Sequence, residues 1–151
     1  MVGCGIRSET PSGKETTAVF EAYVHAWNHH DFAAFDTVLA PDGIHEDLAQ
    51  GFRGQGPAQV KGFMRELIKA EADFDWHVTS VAAVGTEVAA EWTWTATYTG
   101  PGPTGPVMNR RISGRGASIV IVEGGRITRL TDYYDTASFF PPAPVDSAGP
   151  G

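Results

Sequence analysis

Asp132 lies in the run Arg126-Ile127-Thr128-Arg129-Leu130-Thr131-Asp132-Tyr133-Tyr134-Asp135, where a strand would aim one carboxylate into whatever the sheet encloses. Side chains alternate along a strand, so Leu130, Asp132 and Tyr134 share one face while Thr131, Tyr133 and Asp135 share the other. A carboxylate removed from water needs a partner, or its pKa climbs from about 4. Such a climb suits a general acid or base near neutral pH. The competing reading puts both aspartates at a wet strand end. Asp47 alternates with Glu46 on a short strand, so only one of them can face inward, and His45 shares the Asp47 side. Tyr23 falls on an apolar helical stripe, where its phenol is either a hydrogen-bond donor to a developing enolate oxygen or a core tyrosine bonded to a backbone carbonyl. The histidines read as structural. His29 and His30 stand at a helix end, where a cation suits the dipole and adjacent placement suits chelation poorly, so no metal site is expected.

Helices come first in the elements that must hold these groups. Ser12-Gly13-Lys14-Glu15 has capping-box spacing, and Val19, Phe20, Tyr23, Val24 and Trp27 then recur at helical intervals. Asp31 is expected to cap a short second helix that buries Phe32, Phe35, Val38 and Leu39 and ends at Pro41-Asp42-Gly43. A short strand from Ile44 to Leu48 follows, then a turn-rich stretch from Gly51 to Gly56. Pro57 opens a third helix with Val60, Phe63, Met64, Leu67 and Ile68 on one stripe. From Asp75 the period changes to two, and 76–84, 87–99, 108–122 and 126–135 read as strands. Gly85-Thr86 and Gly124-Gly125 supply tight turns, while Gly100 to Pro106 reads as a longer, mobile connection and a potential lid. Val88, Ala90, Trp92, Trp94, Ala96 and Tyr98 share an apolar face that lines a core or a pocket. The threonine-rich opposite face suits association with a second subunit. Helices followed by a meander describe an α+β domain.

At 151 residues the chain has the size of one domain able to enclose a pocket. Residues 1–13 and 141–151, rich in Gly, Pro and Ser, are expected to be mobile tails around a single domain at 14–140. A net charge of -7 and a pI near 5.1 argue against nucleic acid. Cys4 is the only cysteine, which leaves no intrachain disulfide or cysteine metal site and points to a reducing compartment. No apolar run approaches the roughly 20 residues of a membrane span, and the start lacks signal-peptide features. The expectation is a soluble, cytoplasmic protein with neither membrane nor nucleic acid as partner.

Trp27-Asn28-His29-His30-Asp31-Phe32-Ala33-Ala34-Phe35, Phe52-Arg53-Gly54 ahead of the helix at Pro57, Glu123-Gly124-Gly125-Arg126-Ile127 and Asp132-Tyr133-Tyr134-Asp135 follow in an order that resembles the SnoaL-like polyketide cyclases. That family lies in the nuclear-transport-factor-2-like superfamily, and the resemblance runs from about Glu15 to Phe139. It implies a cone-shaped α+β barrel, in which a curved, mostly antiparallel sheet wraps on N-terminal helices around an apolar pocket. It also implies a homodimer through the sheet and no metal or organic cofactor. The superfamily includes ketosteroid isomerases, limonene-epoxide hydrolases, dehydratases and non-catalytic proteins, so the fold alone settles no reaction.

Carried over by position, Asp132 matches the acid/base aspartate of the aldol-type cyclases and a catalytic aspartate of the epoxide hydrolases. Ser118 stands where those cyclases keep a histidine. Trp92 and Trp94 replace the arginine and aspartate of the hydrolases, so epoxide hydrolysis is not expected. Tyr23 and Asp47 have the spacing of the isomerases' oxyanion tyrosine and general base, but the second oxyanion donor falls near Ala117. The expected function is a cofactor-free cyclase that closes a carbon–carbon ring on a lipophilic, polyketide-like molecule. Asp132, Tyr23 and Asp47 would act on protons, and Trp27, Met64, Trp92, Trp94, Tyr98, Ser118 and Leu130 would bind substrate. Ring closure could be of aldol type or a cycloaddition in which the pocket only holds the reactive conformer. The missing histidine and the two tryptophans tilt the sequence reading toward cycloaddition. A ketosteroid-isomerase-like isomerase and a non-catalytic small-molecule-binding protein are the alternatives.

Overall fold

The computed structural model describes residues 12–140. The segments 1–11 and 141–151, most of the two expected tails, lie outside the described residues. Gly13 is helix, not tail, and Ser12 is its N-cap: α1 runs Gly13–Asn28, with the Ser12 hydroxyl accepting from Glu15 N–H and Glu15 reaching back to the Ser12 N–H. This reciprocal bonding satisfies otherwise orphaned amides of the first turn. Phe20, Tyr23, Val24 and Trp27 then fall on the buried stripe of α1.

The second helix is shorter than expected. Asp31 accepts from the Ala33 and Ala34 N–H groups, which caps a turn, and α2 covers only Phe35–Val38. Pro41-Asp42-Gly43 does not terminate it. Those residues lie inside β1, Leu39–Asp47, whose pairing slips between Leu39 and Ile44. A bulge of this kind accommodates residues that cannot serve a regular ladder. The stretch expected to be turns contains β2, Phe52–Gln55, which pairs antiparallel with β1 and leads into α3, Gly56–Ala70.

Four long strands complete the sheet: β3 Asp75–Val84, β4 Glu87–Gly102, β5 Gly105–Glu123 and β6 Arg126–Tyr134. The supposed loop from Gly100 to Pro106 is a paired hairpin end, with Gly100 opposite Val107 and Gly102 opposite Gly105. Tyr98 O–H donates to Pro101 O and Asn109 N–H donates to Thr99 Oγ1, which hold the hairpin through the bulge at Tyr98–Gly100. The expected loop is therefore paired strand up to the turn at Pro103-Thr104.

The six strands order as β2-β1-β6-β5-β4-β3, a curved, unclosed sheet in which only β1 and β6 run parallel. The parallel pair joins residues about 85 positions apart in sequence, as in Asp47 opposite Asp132. The core lies between the concave face and the helices, around Phe20, Tyr23, Phe35, Met64 and Leu130, all fully buried. Each such side chain contributes roughly 1.5–3 kcal/mol on leaving water. No helix of the described residues is long and apolar enough to cross a membrane.

Candidate active site

Strand pairing places a polar row across the apolar face of the sheet. Asp132 is in register with Asp47 on one side and with Ser118 on the other. Residues in register share a face, so the three side chains stand side by side, and all three are buried. His45, two residues before Asp47, lies on the same face and reaches Asp132 diagonally. Asp47 and Asp132 thus point into one cavity.

Both oxygens of Asp132 are held. Ser118 O–H donates to Oδ1 at 2.5 Å and His45 Nε2 lies 2.9 Å from Oδ2. Each donor is itself oriented from behind: Trp92 Nε1–H donates to Ser118 Oγ at 2.8 Å, and Tyr23 Oη lies 2.8 Å from His45 Nδ1. An indole N–H can only donate, so the serine must direct its own proton at Asp132. On the other branch every hydrogen is used when Tyr23 donates to Nδ1 and the Nε2–H tautomer donates to Asp132. Two relays therefore converge on one carboxylate, fixing its orientation and supporting its negative charge.

Two glycines make this geometry fit. Gly116 is opposite Trp92 and Gly114 opposite Trp94. A Cβ at Gly116 would stand 2.5 Å from both the Trp92 ring and Tyr133 O, and one at Gly114 would stand 2.6 Å from Trp94 Nε1. The indoles lie across bare backbone, which lets Trp92 reach Ser118.

Asp47 forms a second group. It accepts from Tyr134 O–H at 2.7 Å and from Gln50 N–H at 2.9 Å. Burial raises its pKa above the usual carboxylate range, against the lowering effect of those two bonds. Burial, then the charge of Asp47, drives the Tyr134 phenol well above its usual range, so it stays a donor. Burial and the charge of Asp132 likewise keep Tyr23 protonated. Glu71, just past α3, is a third carboxyl in the wall. Burial first, then the charges of Asp73 and Asp47, push it up to about 7.

These carboxyls line a narrow cavity of about 50 Å³. Its aromatic wall includes Trp27, Trp76, Trp92, Trp94, Phe63 and Phe74. Ring contacts join this wall edge to face, for example Trp76–Trp92 at 5.5 Å and Trp92–Tyr134 at 5.7 Å. An outer vestibule of about 480 Å³, lined in part by Tyr98, Pro103, Phe139 and Phe140, shares Gln50 and Glu71 with the inner cavity.

Of the residues named from the sequence, Asp132, Asp47, Trp27, Trp92 and Trp94 line the inner cavity, and Tyr98 lines the vestibule. Four assignments differ. Tyr23 lies fully buried behind His45, where it cannot touch a ligand or serve as the isomerase-type oxyanion donor. Ser118 stands behind Asp132 in the same way. Met64 and Leu130 are fully buried in the core and do not line the cavity, because their positions on α3 and β6 face the packing between helix and sheet. Asp135 accepts from Ala137 N–H at the start of the 3-10 turn Thr136–Ser138.

His45 is the residue that sequence reasoning passed over. It reads as structural because its partner sits on a strand it meets only through the non-local parallel pairing of β1 with β6. Its alternation with Asp47 was the available signal. Its presence removes one ground for preferring cycloaddition, since the histidine absent at position 118 is supplied from β1. Glu71 carried no strand or motif signal at all. Among the described residues no group of three or more His, Cys, Asp or Glu is placed to hold a metal ion.

The family model for SnoaL-like polyketide cyclases matches residues 17–141. Among solved structures, a candidate polyketide cyclase of Xanthomonas campestris is 26% identical with a TM-score of 0.69, covering 82% of this chain and 92% of that one. An LEH-like epoxide hydrolase of Mycobacterium tuberculosis is 25% identical with a TM-score of 0.68, over 87% and 86%. A protein of ketosteroid isomerase-like fold from Catenulispora acidiphila is 23% identical with a TM-score of 0.70, over 80% and 88%. Among curated proteins none matches.

Proposed function

Because the chain belongs to the SnoaL-like polyketide cyclase family, we propose that it is a cofactor-free cyclase that closes a carbon–carbon ring by acid–base chemistry, with Asp132 as the base. The observation that carries this reading is a carboxylate on the wall of an aromatic cavity, with both oxygens oriented by His45 and Ser118. Each oxygen keeps a lone pair beyond the bond it accepts, so Asp132 can still take a proton.

In the proposed reaction Asp132 removes a proton from carbon next to a substrate carbonyl. The enolate carbon attacks a second carbonyl of the same molecule, and the new alkoxide takes the proton back from Asp132. The product is an isomer of the substrate, which agrees with a site that supplies only proton transfer and shape. Asp47, held by Tyr134 and Gln50, places a second carboxyl beside the reacting carbon, and the aromatic wall selects an apolar ligand. The inner cavity has room for only a few atoms, so a longer substrate extends into the vestibule past Tyr98 and Phe140. Ile119 and Tyr133, exposed on the convex face, support the expected association of two copies through the sheet.

Ring closure of 2,6-heptanedione to its isomer 3-hydroxy-3-methylcyclohexanone, followed by chromatography together with the 3-methylcyclohex-2-enone that the ketol gives on loss of water, tests the reading. Wild-type protein is expected to accelerate it, and Asp132→Asn is expected to lose about 10²–10⁴-fold of that acceleration. Equal rates for the two proteins would remove Asp132 from the chemistry. The isomerase alternative predicts instead double-bond migration in a β,γ-unsaturated ketone. The binding alternative predicts tight ligand retention with neither reaction.

A further inference from the structure

Glu71 is a buried carboxyl with no partner among the described residues. It is 7% exposed, and among the described residues no donor is hydrogen-bonded to its side chain and no Lys or Arg lines either void it touches. A native interior seldom leaves such a group unsatisfied, and one that faces a cavity is free to bond to whatever occupies the cavity. Its place is fixed. The Glu71 N–H closes α3 on Leu67 O at 3.0 Å. Two residues on, Asp73 accepts from the Thr97 N–H at 2.5 Å, from the Thr97 hydroxyl at 2.8 Å and from Arg111 at 2.9 Å, which clamps the loop to the β4–β5 hairpin. With Gln50, Glu71 forms the neck between the inner cavity and the vestibule.

We propose that Glu71 is a further catalytic residue of this site: its carboxylic acid bonds to, and during the reaction protonates, a substrate carbonyl oxygen lodged at the neck. The proposal rests on the reading of Asp132 as the base. Asp132 takes the α-proton, the C–H electron pair becomes the enol double bond, and the carbonyl oxygen takes the proton of Glu71. When the enol carbon attacks the second carbonyl, the enol O–H proton returns to Glu71 and the new alkoxide takes the proton held by Asp132. Both carboxyls end as they began. A concerted donor avoids a free enolate in a cavity that no Lys or Arg lines among the described residues.

The surroundings keep a substantial share of this acid protonated up to neutrality. The titratable groups that share the two voids are His45 and Asp47 of β1, Asp132 and Tyr134 of β6 and Tyr98 of β4, and Asp73 stands on the same loop. The nearest charges are acidic, and the negative end of α3 adds to their effect. Burial and those charges bring the group to about 7.

Two readouts test the proposal with the full-length protein, one of which needs no turnover. The first is binding of 2-tetralone, read by quenching of the cavity tryptophans between pH 6 and pH 9. Wild type is expected to lose at least fivefold in affinity across that range, whereas E71Q, which keeps an uncharged donor, stays flat. In wild type labelled with ¹³C-glutamate, one carboxyl should titrate near 7 and move upward when the ketone saturates the site. An unmoved titration, or the same pH dependence in both proteins, overturns the proposal. The second readout is cyclisation of 2,6-heptanedione, where E71Q is expected to fall at least tenfold in kcat and to lose the alkaline decline seen in wild type. Loss of activity in Asp132→Asn with full activity in E71Q would sink the role of Glu71 and leave the cyclase reading intact. Absence of turnover in wild type would sink the cyclase reading, and the binding arm would still decide whether Glu71 donates to a carbonyl.

Discussion

Replacing Asp132 by asparagine keeps the shape of the side chain and removes its charge, so the variant isolates what the two converging relays contribute. The amide offers one acceptor and one donor where the carboxylate offered two acceptors. The serine branch cannot reverse, because Trp92 Nε1–H only donates and Ser118 must therefore keep giving its proton to the remaining oxygen. The amide NH₂ then faces His45 Nε2. The histidine can accept from it only by moving its proton to Nδ1, which turns Tyr23 Oη into an acceptor and leaves the Tyr23 proton without a partner in a fully buried place. One orphaned hydroxyl and the loss of charge assistance in two bonds cost about 2–4 kcal/mol. With a urea dependence of about 1–3 kcal/mol per molar, the midpoint should fall by roughly 1–2 M in unfolding followed by tryptophan fluorescence. The sharper test is a double-mutant cycle with His45→Leu. In wild type that change orphans Tyr23 and strips a bond from Asp132. In the Asp132→Asn background Tyr23 is already orphaned, so it should cost about 1–3 kcal/mol less. Additivity within about 0.5 kcal/mol would show that the two residues do not form one relay.

Glu71 should make the fold weaken as the pH rises. Its folded pKa of about 7 lies above the ordinary value of 4.5, so the protonated form is favoured by folding; the contribution is intact below about 4.5 and is lost as the pH climbs through 7. Urea titrations at pH 5 and pH 8 should show wild type losing on the order of 3 kcal/mol more than Glu71→Gln, and parallel curves would contradict the burial argument. Gly116→Ala should displace Trp92 from Ser118, costing about 1–3 kcal/mol and red-shifting tryptophan emission, since the added Cβ meets the ring and Tyr133 O at 2.5 Å. An unshifted spectrum with unchanged stability would show that the indole does not need the bare backbone. Ser12→Ala should lower stability by about 1 kcal/mol through loss of the α1 cap, read as a lower thermal midpoint.

Local chemistry was legible in the sequence, and non-local pairing was not. The capping box at Ser12, the period-two face of Trp92 and Trp94 and the turns at Gly85 and Gly124 each depend on neighbours a few residues away, and each stands as read. Alternation grouped Leu130, Asp132 and Tyr134 on one face, and the resemblance singled out Asp132 on it; that face is the one turned to the cavity. The parallel pairing of β1 with β6 joins segments far apart in the chain, and only that pairing brings His45 to Asp132. β2 went unread because Gly51 and Gly56 bracket four residues whose strand character comes from β1, not from their own propensities. Gly100 to Pro106 read as a loop because its composition breaks regular structure, whereas the long arms of the β4–β5 hairpin carry the pairing to its tip. Tyr23 looked like a ligand-facing donor because the apolar stripe of a helix does not reveal which of its members meets the cavity and which the residue behind it.

Proton removal from carbon at Asp132 is the central claim, and exchange in D₂O measures it without knowledge of the natural substrate. 2-Tetralone is incubated with wild type and with Asp132→Asn, and loss of the α-proton NMR signal is followed against the rate in buffer alone. The account predicts protein-dependent exchange that is saturable in ketone and at least a hundredfold slower in the variant. Exchange at the buffer rate in wild type with the ketone demonstrably bound, or equal exchange in both folded proteins, would contradict it.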